Sequence, residues 1–124
     1  MPVSLAVAFG GALGALTRYV VDRSIEAREF GVFPWSTFMI NVSGCFLVGV
    51  VVAALVDRHN APAWLRVGLV MGVLGGYTTF STFSQETLDL LEEGRLATAM
   101  TYALGSLAVG TSAVLIGSRV GRLV

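Results

Sequence analysis

Charged residues are scarce in this sequence, and lysine is absent altogether. Only 13% of the 124 residues are charged, whereas 55% are hydrophobic and the mean hydropathy is +0.78. Soluble domains carry about 25% charged residues, so this composition predicts a protein surrounded by membrane lipids. The eight basic and eight acidic residues cancel. Without a basic stripe we exclude nucleic acid as a partner.

Cysteine and histidine each occur once, which removes several kinds of site. Cys45 lies within an apolar run and can form no intramolecular disulfide, and His59 falls in a polar connection, where we expect it to be solvated. The sequence offers no side-chain metal cluster, no nucleophile paired with a histidine and no phosphate-binding loop before a helix. We therefore predict that the protein is not an enzyme.

Four stretches of the chain lack Asp, Glu, Lys and Arg: 2–17, 30–56, 67–85 and 96–118. A helix needs about 20 apolar residues to cross a hydrocarbon core of about 30 Å. The first stretch reaches that length if it continues past Arg18 to Val20 and Val21. This is possible because the Arg18 side chain can extend to the interface. The sequence therefore predicts an all-α, multi-pass membrane protein. Its single domain, 1–124, would have four transmembrane helices, at about 2–21, 33–56, 65–92 and 96–118.

The arginines are divided equally between the two sides of this predicted bundle. One side carries Arg58, Arg66, Arg119 and Arg122, and the other carries Arg18, Arg23, Arg28 and Arg95. An excess of Lys and Arg on one side normally sets the orientation of a membrane protein, so this chain is expected to insert both ways. An antiparallel, dual-topology homodimer is the natural assembly of such subunits. A chance balance of such small counts is the alternative.

The third predicted span has an unusual centre. Gly75 and Gly76 are followed by the β-branched Thr78 and Thr79, a combination that continues a helix poorly. We predict a break near 75–79, at mid-membrane, where irregular backbone needs protein or a polar cavity to satisfy it. Carbonyls released there would suit a cation, and the next helix start would suit an anion. The alternative is a glycine kink with hydroxyls bonded back to their own helix.

Polar and aromatic residues around this break could contact a small anion. Phe80 and Phe83 lie on one face, and an aromatic edge carries partial positive charge, although such residues more often face lipid or core. Asn41 places an uncharged amide donor inside the second span, where it suits either an anion or an interhelical hydrogen bond. Tyr102 and Ser106 are i, i+4 neighbours on the fourth span and could extend a hydroxyl-lined track.

Three motifs make the chain resemble the Fluc-type (CrcB-like) fluoride ion channels over nearly its whole length. They are GGALGALTRY at 10–19, STFMINVSGCFLVG at 36–49 and GVLGGYTTFSTF at 72–83, of which the last is the most specific. Ser36 departs from the pattern, because glycine is expected there. The resemblance implies a fluoride-selective channel of the cell (inner) membrane that exports fluoride passively through two pores per antiparallel dimer.

The resemblance also assigns roles to individual residues. Phe80 and Phe83 would be pore rings and Asn41 an amide donor, with polar pore or vestibule groups at Ser81, Thr82, Ser84, Tyr102 and Ser106. Arg18 and Thr37 match positions near the pore entrance, where Glu86 could also lie. A structural sodium ion at the dimer interface would be held by the main-chain carbonyls of Gly75 and Thr78.

A small dual-topology, proton-coupled multidrug exporter is the main alternative. Such an antiporter needs a membrane carboxylate in its first helix, and this chain has none between Met1 and Thr17. Glu86 is the only acid close to the interior of a span. It could be a coupling group, a residue of the pore mouth or the beginning of the polar end of its helix.

Overall fold

A computed structural model describes residues 1–28, 31–58 and 60–124, with no side-chain description for 56–58. The described residues are helical, with short turns and no strand. The predicted solvation of His59 falls outside them. The helices are α1 (Val3–Glu26), α2 (Trp35–Val51), α3 (Ala63–Val67), α4 (Gly75–Tyr77), α5 (Phe80–Glu92) and α6 (Leu96–Gly121), with π-helical turns at Val52–Arg58 and Gly68–Leu74.

Three helical segments are long and apolar enough to cross a membrane: Val3–Glu26, Trp35–Leu55 and Leu96–Gly121. The third predicted span, 65–92, contains shorter pieces. Its first half runs through α3, the π-helical turn and α4, and its second half is α5. The chain thus makes four helical passes, of which the third is the one that carries the unusual Gly-Thr sequence.

Prolines and one glycine define the ends of these helices. Pro2, Pro34 and Pro62 immediately precede α1, α2 and α3, where the fixed φ of proline suits the helix start. Just after the C-terminal end of α5, Gly94 has a φ of +73°. The N–H of Gly94 donates to the carbonyl of Leu91 and that of Arg95 to the carbonyl of Leu90. This pair of bonds is a Schellman motif, and it turns the chain directly into α6.

Helix α1 packs closely on the first half of the third pass through glycines. A Cβ atom at Gly10 would lie 2.5 Å from the carbonyl oxygen of Gly68, and one at Gly76 would lie 2.6 Å from that of Gly11. No side chain fits at such distances, so glycine permits backbone contact here. Glycines recur at intervals of four on both helices, at 10 and 14 and at 68, 72 and 76, and this spacing places them on the contacting faces.

The buried core is small and lies toward the end of the bundle where α5 meets α6. Tyr102 and Ala99 are almost fully buried together with Leu90, and Phe33 packs edge-on against the Tyr102 ring with centroids 5.5 Å apart. In contrast, many large apolar side chains point outward, among them Phe9, Met71 and Leu107. An outer surface this apolar suits lipid or another subunit better than water.

Candidate functional site

The helix interruption consists of two residues with extended backbone. Thr78 has φ and ψ of −83° and 161°, and Thr79 has −149° and 120°, between α4 and α5. Gly75 and Gly76 remain helical, since Gly76 is packed against α1. The interruption therefore falls on the β-branched threonines, and Gly76 before it serves helix packing.

Asn41 holds the extended backbone of Thr79 from the second helix. Its Nδ2 donates to the carbonyl oxygen of Thr79, and its Oδ1 accepts from the N–H of Thr79, both at 2.9 Å. The amide thus replaces the backbone partners that a continuous helix would supply to Thr79. Nδ2 carries two hydrogens, so one N–H of Asn41 is not used by this pair of bonds.

The interruption also leaves carbonyl groups without their helical donors, among them those of Gly75 and Thr78. In a continuous helix the N–H of Thr79 would donate to Gly75, but here it is directed to Asn41. The N–H of Thr82 would donate to Thr78, but it is directed to the Thr79 hydroxyl at 3.2 Å, which caps α5. The carbonyls of Gly75 and Thr78 therefore lose their helical partners at the negative end of α4.

A groove of about 440 Å³ runs beside the interruption, between α2, α5 and α6. It brings together Asn41, Phe80, Phe83 and Ser106, which the sequence placed on three different helices. Phe80 is 78% exposed and its ring centroid lies 5.8 Å from that of Phe83. The hydroxyl oxygen of Ser106 is buried and has no hydrogen-bond partner among the described residues. An unsatisfied buried hydroxyl can donate to a small anion.

Outside the groove, Glu86 on α5 is hydrogen-bonded to α2 and to α6. Its Oε1 accepts from the hydroxyl of Thr37 at 2.8 Å and its Oε2 accepts from the hydroxyl of Tyr102 at 2.5 Å. Both donors are buried, with exposed fractions of 2% and 0%. The ring of Tyr102 also contacts Phe83, with centroids 5.0 Å apart. The sequence analysis named these residues as candidates, but it did not predict that Thr37 and Tyr102 would both donate to Glu86.

A second cavity, of about 280 Å³, lies between α1, α2 and α5 and contains the candidate entrance residues Arg18 and Thr37. Thr79 and Thr82 line it too. Asp22 is its only acid among the described residues, and the buried Ser36 donates a hydrogen bond to Asp22 Oδ1. Neither Ser36 nor Asp22 was singled out by sequence as a site residue.

The remaining serines of the threonine-rich segment lie outside both cavities. Ser84 donates to the carbonyl of Phe80 in its own helix at 2.9 Å. The hydroxyl of Ser81 lies 3.3 Å from that of Thr79, and both serines are exposed on the described chain. The back-bonding alternative therefore describes Ser84, and also Thr78, which donates to the carbonyl of Leu74.

Comparison with known proteins identifies relatives over almost the whole chain. It is 42% identical over 120 residues to a protein of Nitrobacter winogradskyi, covering 97% of this chain and 95% of that one. It is 49% identical over 120 residues to a protein of Acidobacterium capsulatum, covering 95% and 94%. A protein of Agrobacterium fabrum is 43% identical over 116 residues, covering 94% and 93%. Each relative is named Fluoride-specific ion channel FluC.

The family profile described as CrcB-like protein, Camphor Resistance (CrcB), matches residues 5–118. With its apolar spans, the chain is a multi-pass membrane protein, and in bacteria this family lies in the inner membrane. The resemblance found in the sequence is thereby confirmed, and the chain belongs to the CrcB-like family.

Proposed function

We propose that the protein is a fluoride-selective channel through which fluoride leaves the cell passively. The names of its relatives support fluoride as the ion and a channel in place of an enzyme. The observation that carries the proposal is the groove, which is lined by two aromatic rings and by a buried hydroxyl that has no hydrogen-bond partner in the described part of the chain. An exporter that couples drug efflux to protons is not favoured by these relatives.

Conduction would use weak positive dipoles in place of full charges. Fluoride must exchange its water for ligands that bind it well enough to enter and loosely enough to leave. The edges of Phe80 and Phe83, the hydroxyl of Ser106 and the remaining N–H of Asn41 would supply such ligands in succession. Lysine or arginine in this groove would hold the anion instead, and none is found among the described residues that line it.

At the entrance, Arg18 would attract the anion and hydroxyl groups would receive it. The cavity beside Arg18 offers Thr37, Thr79 and Thr82 as polar contacts. Glu86 would mark the mouth, with Tyr102 and Thr37 bound to its carboxylate. Ser81 and Ser84 lie on the exposed side of α5, and they would contribute only where a second subunit covers that side.

The functional unit would be an antiparallel, dual-topology homodimer with two pores. Phe80 is largely exposed in one subunit, so its groove is open on one side and a second copy would close it. The equal division of arginines supports opposite orientations of the two copies. In that arrangement the interruption at Thr78–Thr79 would lie near the middle of the membrane, where Asn41 satisfies its backbone.

A sodium ion would stabilise the dimer at the interruption. The carbonyls of Gly75 and Thr78 lack their helical partners, and two such sets related by symmetry would offer oxygen ligands to a hard cation. Carbonyl oxygens would be the ligands of this ion, since the described residues hold no cluster of acidic, cysteine or histidine side chains that could bind it. Exhaustive replacement of sodium by a large organic cation should dissociate the dimer or abolish flux. Unchanged flux and assembly would contradict a structural sodium.

Efflux from liposomes tests the proposed function. Purified protein is reconstituted into vesicles loaded with equal concentrations of fluoride and chloride, and each ion is followed with a selective electrode after valinomycin is added. We expect fluoride to leave rapidly and chloride to stay. Release of both ions at similar rates, or of neither, would contradict the proposal.

A further inference from the structure

Arg18 and Asp22 lie on the same face of α1 and line the same cavity. Residues four apart on a helix are neighbours, with Cβ atoms about 5–6 Å apart, so their side chains can form an ion pair. They do not pair in the structure: within the described chain, the ion pairs found on α1 join Arg23 to Glu26 and no acid to Arg18. The Asp22 carboxylate instead has a hydrogen-bond partner on α2.

Ser36, near the start of α2, supplies that contact. Its hydroxyl donates to Oδ1 of Asp22, and the residue is only 9% exposed. A buried hydroxyl is costly without a partner, so this bond fixes the carboxylate against α2.

We propose that Ser36 is a positioning residue that keeps Asp22 away from Arg18 and so leaves the guanidinium free to attract an anion. The proposal rests on the proposed fluoride channel and adds a residue that tunes its entrance. The other acid near this cavity, Glu86, is bound by Thr37 and Tyr102. Asp22 is therefore the one carboxylate of the described cavity lining that could neutralise Arg18.

The consequence is electrostatic and depends on salt. An unpaired cation at a cavity raises the local concentration of anions, and it does so most at low ionic strength. Without the Ser36 hydroxyl, Asp22 would turn to Arg18 and cancel its charge. Fluoride flux would fall at low salt, and the difference would shrink at high salt, where the Debye length is about 3 Å.

The test measures fluoride efflux from liposomes for Ser36→Ala, Asp22→Asn and the double variant. In about 10 mM potassium gluconate we expect Ser36→Ala to lower the initial rate about threefold and the double variant to restore it, with the loss disappearing near 1 M. Asp22→Asn alone should change the rate less than about twofold, because Asp22 is already held aside. The matched control is Ser24→Ala, since that hydroxyl donates only to Val20 of its own helix.

A second variant covers the case in which Ser36→Ala does not assemble. Asp22→Glu keeps the charge but adds a methylene, so the carboxylate leaves Ser36 and reaches Arg18, with the same salt-dependent loss. The inference is overturned if Ser36→Ala conducts like wild type at low salt, if Asp22→Asn fails to restore it, or if Asp22→Glu has no effect. Wild-type protein that carries no fluoride would instead refute the proposed function.

Discussion

Replacing Asn41 by alanine would remove both hydrogen bonds that hold the extended backbone at Thr79. These bonds are 2.9 Å long and reach a residue that is 9% exposed. Water has little access to the N–H and C=O groups left behind, so their loss is not readily compensated. We therefore expect the segment between α4 and α5 to open, and the aromatic rings that follow it to lose their positions.

The size of the effect follows from the two bonds. A net hydrogen bond contributes about 1 kcal/mol, and a buried group left without a partner costs about 1–3 kcal/mol. A total of about 2 kcal/mol is the low end of this range and corresponds to about a 30-fold change in a local opening equilibrium. The Thr79 amide should exchange its hydrogen about 30 times faster in Asn41→Ala.

Asn41→Asp separates this clamping role from the role of anion donor. An aspartate can still accept from the N–H of Thr79 but can no longer donate to its carbonyl, so about half of the 2 kcal/mol is lost and the exchange of that amide should rise only about fivefold. Its negative charge would face the groove and repel fluoride, lowering flux at least about tenfold.

The measurement combines hydrogen exchange of the purified protein with fluoride efflux from liposomes. The control is Asn60→Gly, an exposed asparagine whose φ of 43° glycine adopts easily. Hydrogen exchange and fluoride flux at wild-type rates in Asn41→Ala would refute the claim that Asn41 holds the Thr79 backbone. Wild-type flux in Asn41→Asp would refute the claim that Asn41 lies beside the ion.

Three further predictions concern the groove and the assembly. Phe80→Ile and Phe83→Ile keep apolar bulk but remove the ring quadrupole, so each should lower fluoride efflux at least about tenfold, or about 1.4 kcal/mol of barrier, while the dimer persists on gel filtration. Ser106→Ala removes the unpartnered hydroxyl and should slow efflux severalfold, whereas Ser112→Ala, whose hydroxyl donates to its own helix, should not. Two lysines added to the 57–63 connection should fix all subunits in one orientation and abolish fluoride flux. Co-expression with an oppositely biased variant should restore the flux. Full flux from the one-way variant alone would contradict a dimer of oppositely oriented subunits.

The helical architecture was largely predictable because it depends on local composition. Long uncharged runs, prolines before helices and glycines at intervals of four are all visible in the sequence. The interruption was expected around 75–79, but glycine was given too much weight. Gly75 and Gly76 stay helical, with Gly76 packed against α1, and the extended residues are Thr78 and Thr79, the second of which Asn41 holds.

The candidate site was predictable in its members and less so in their connections. Phe80, Phe83, Asn41 and Ser106 do meet in one groove. The hydrogen-bond partners of these side chains could not be predicted, because the donors to Glu86 come from other helices. The bond from Ser36 to Asp22 was missed for the same reason, because it joins two helices that no spacing rule relates.

The zero-current potential across a planar bilayer tests the central claim, passive and selective fluoride conduction, most directly. With fluoride at a tenfold gradient and chloride at the opposite tenfold gradient, we expect a potential of about 59 mV with the sign set by fluoride. It should not change when a pH gradient is imposed in the neutral and alkaline range. A potential that follows chloride, or one that follows the proton gradient as a coupled exporter would, contradicts the account.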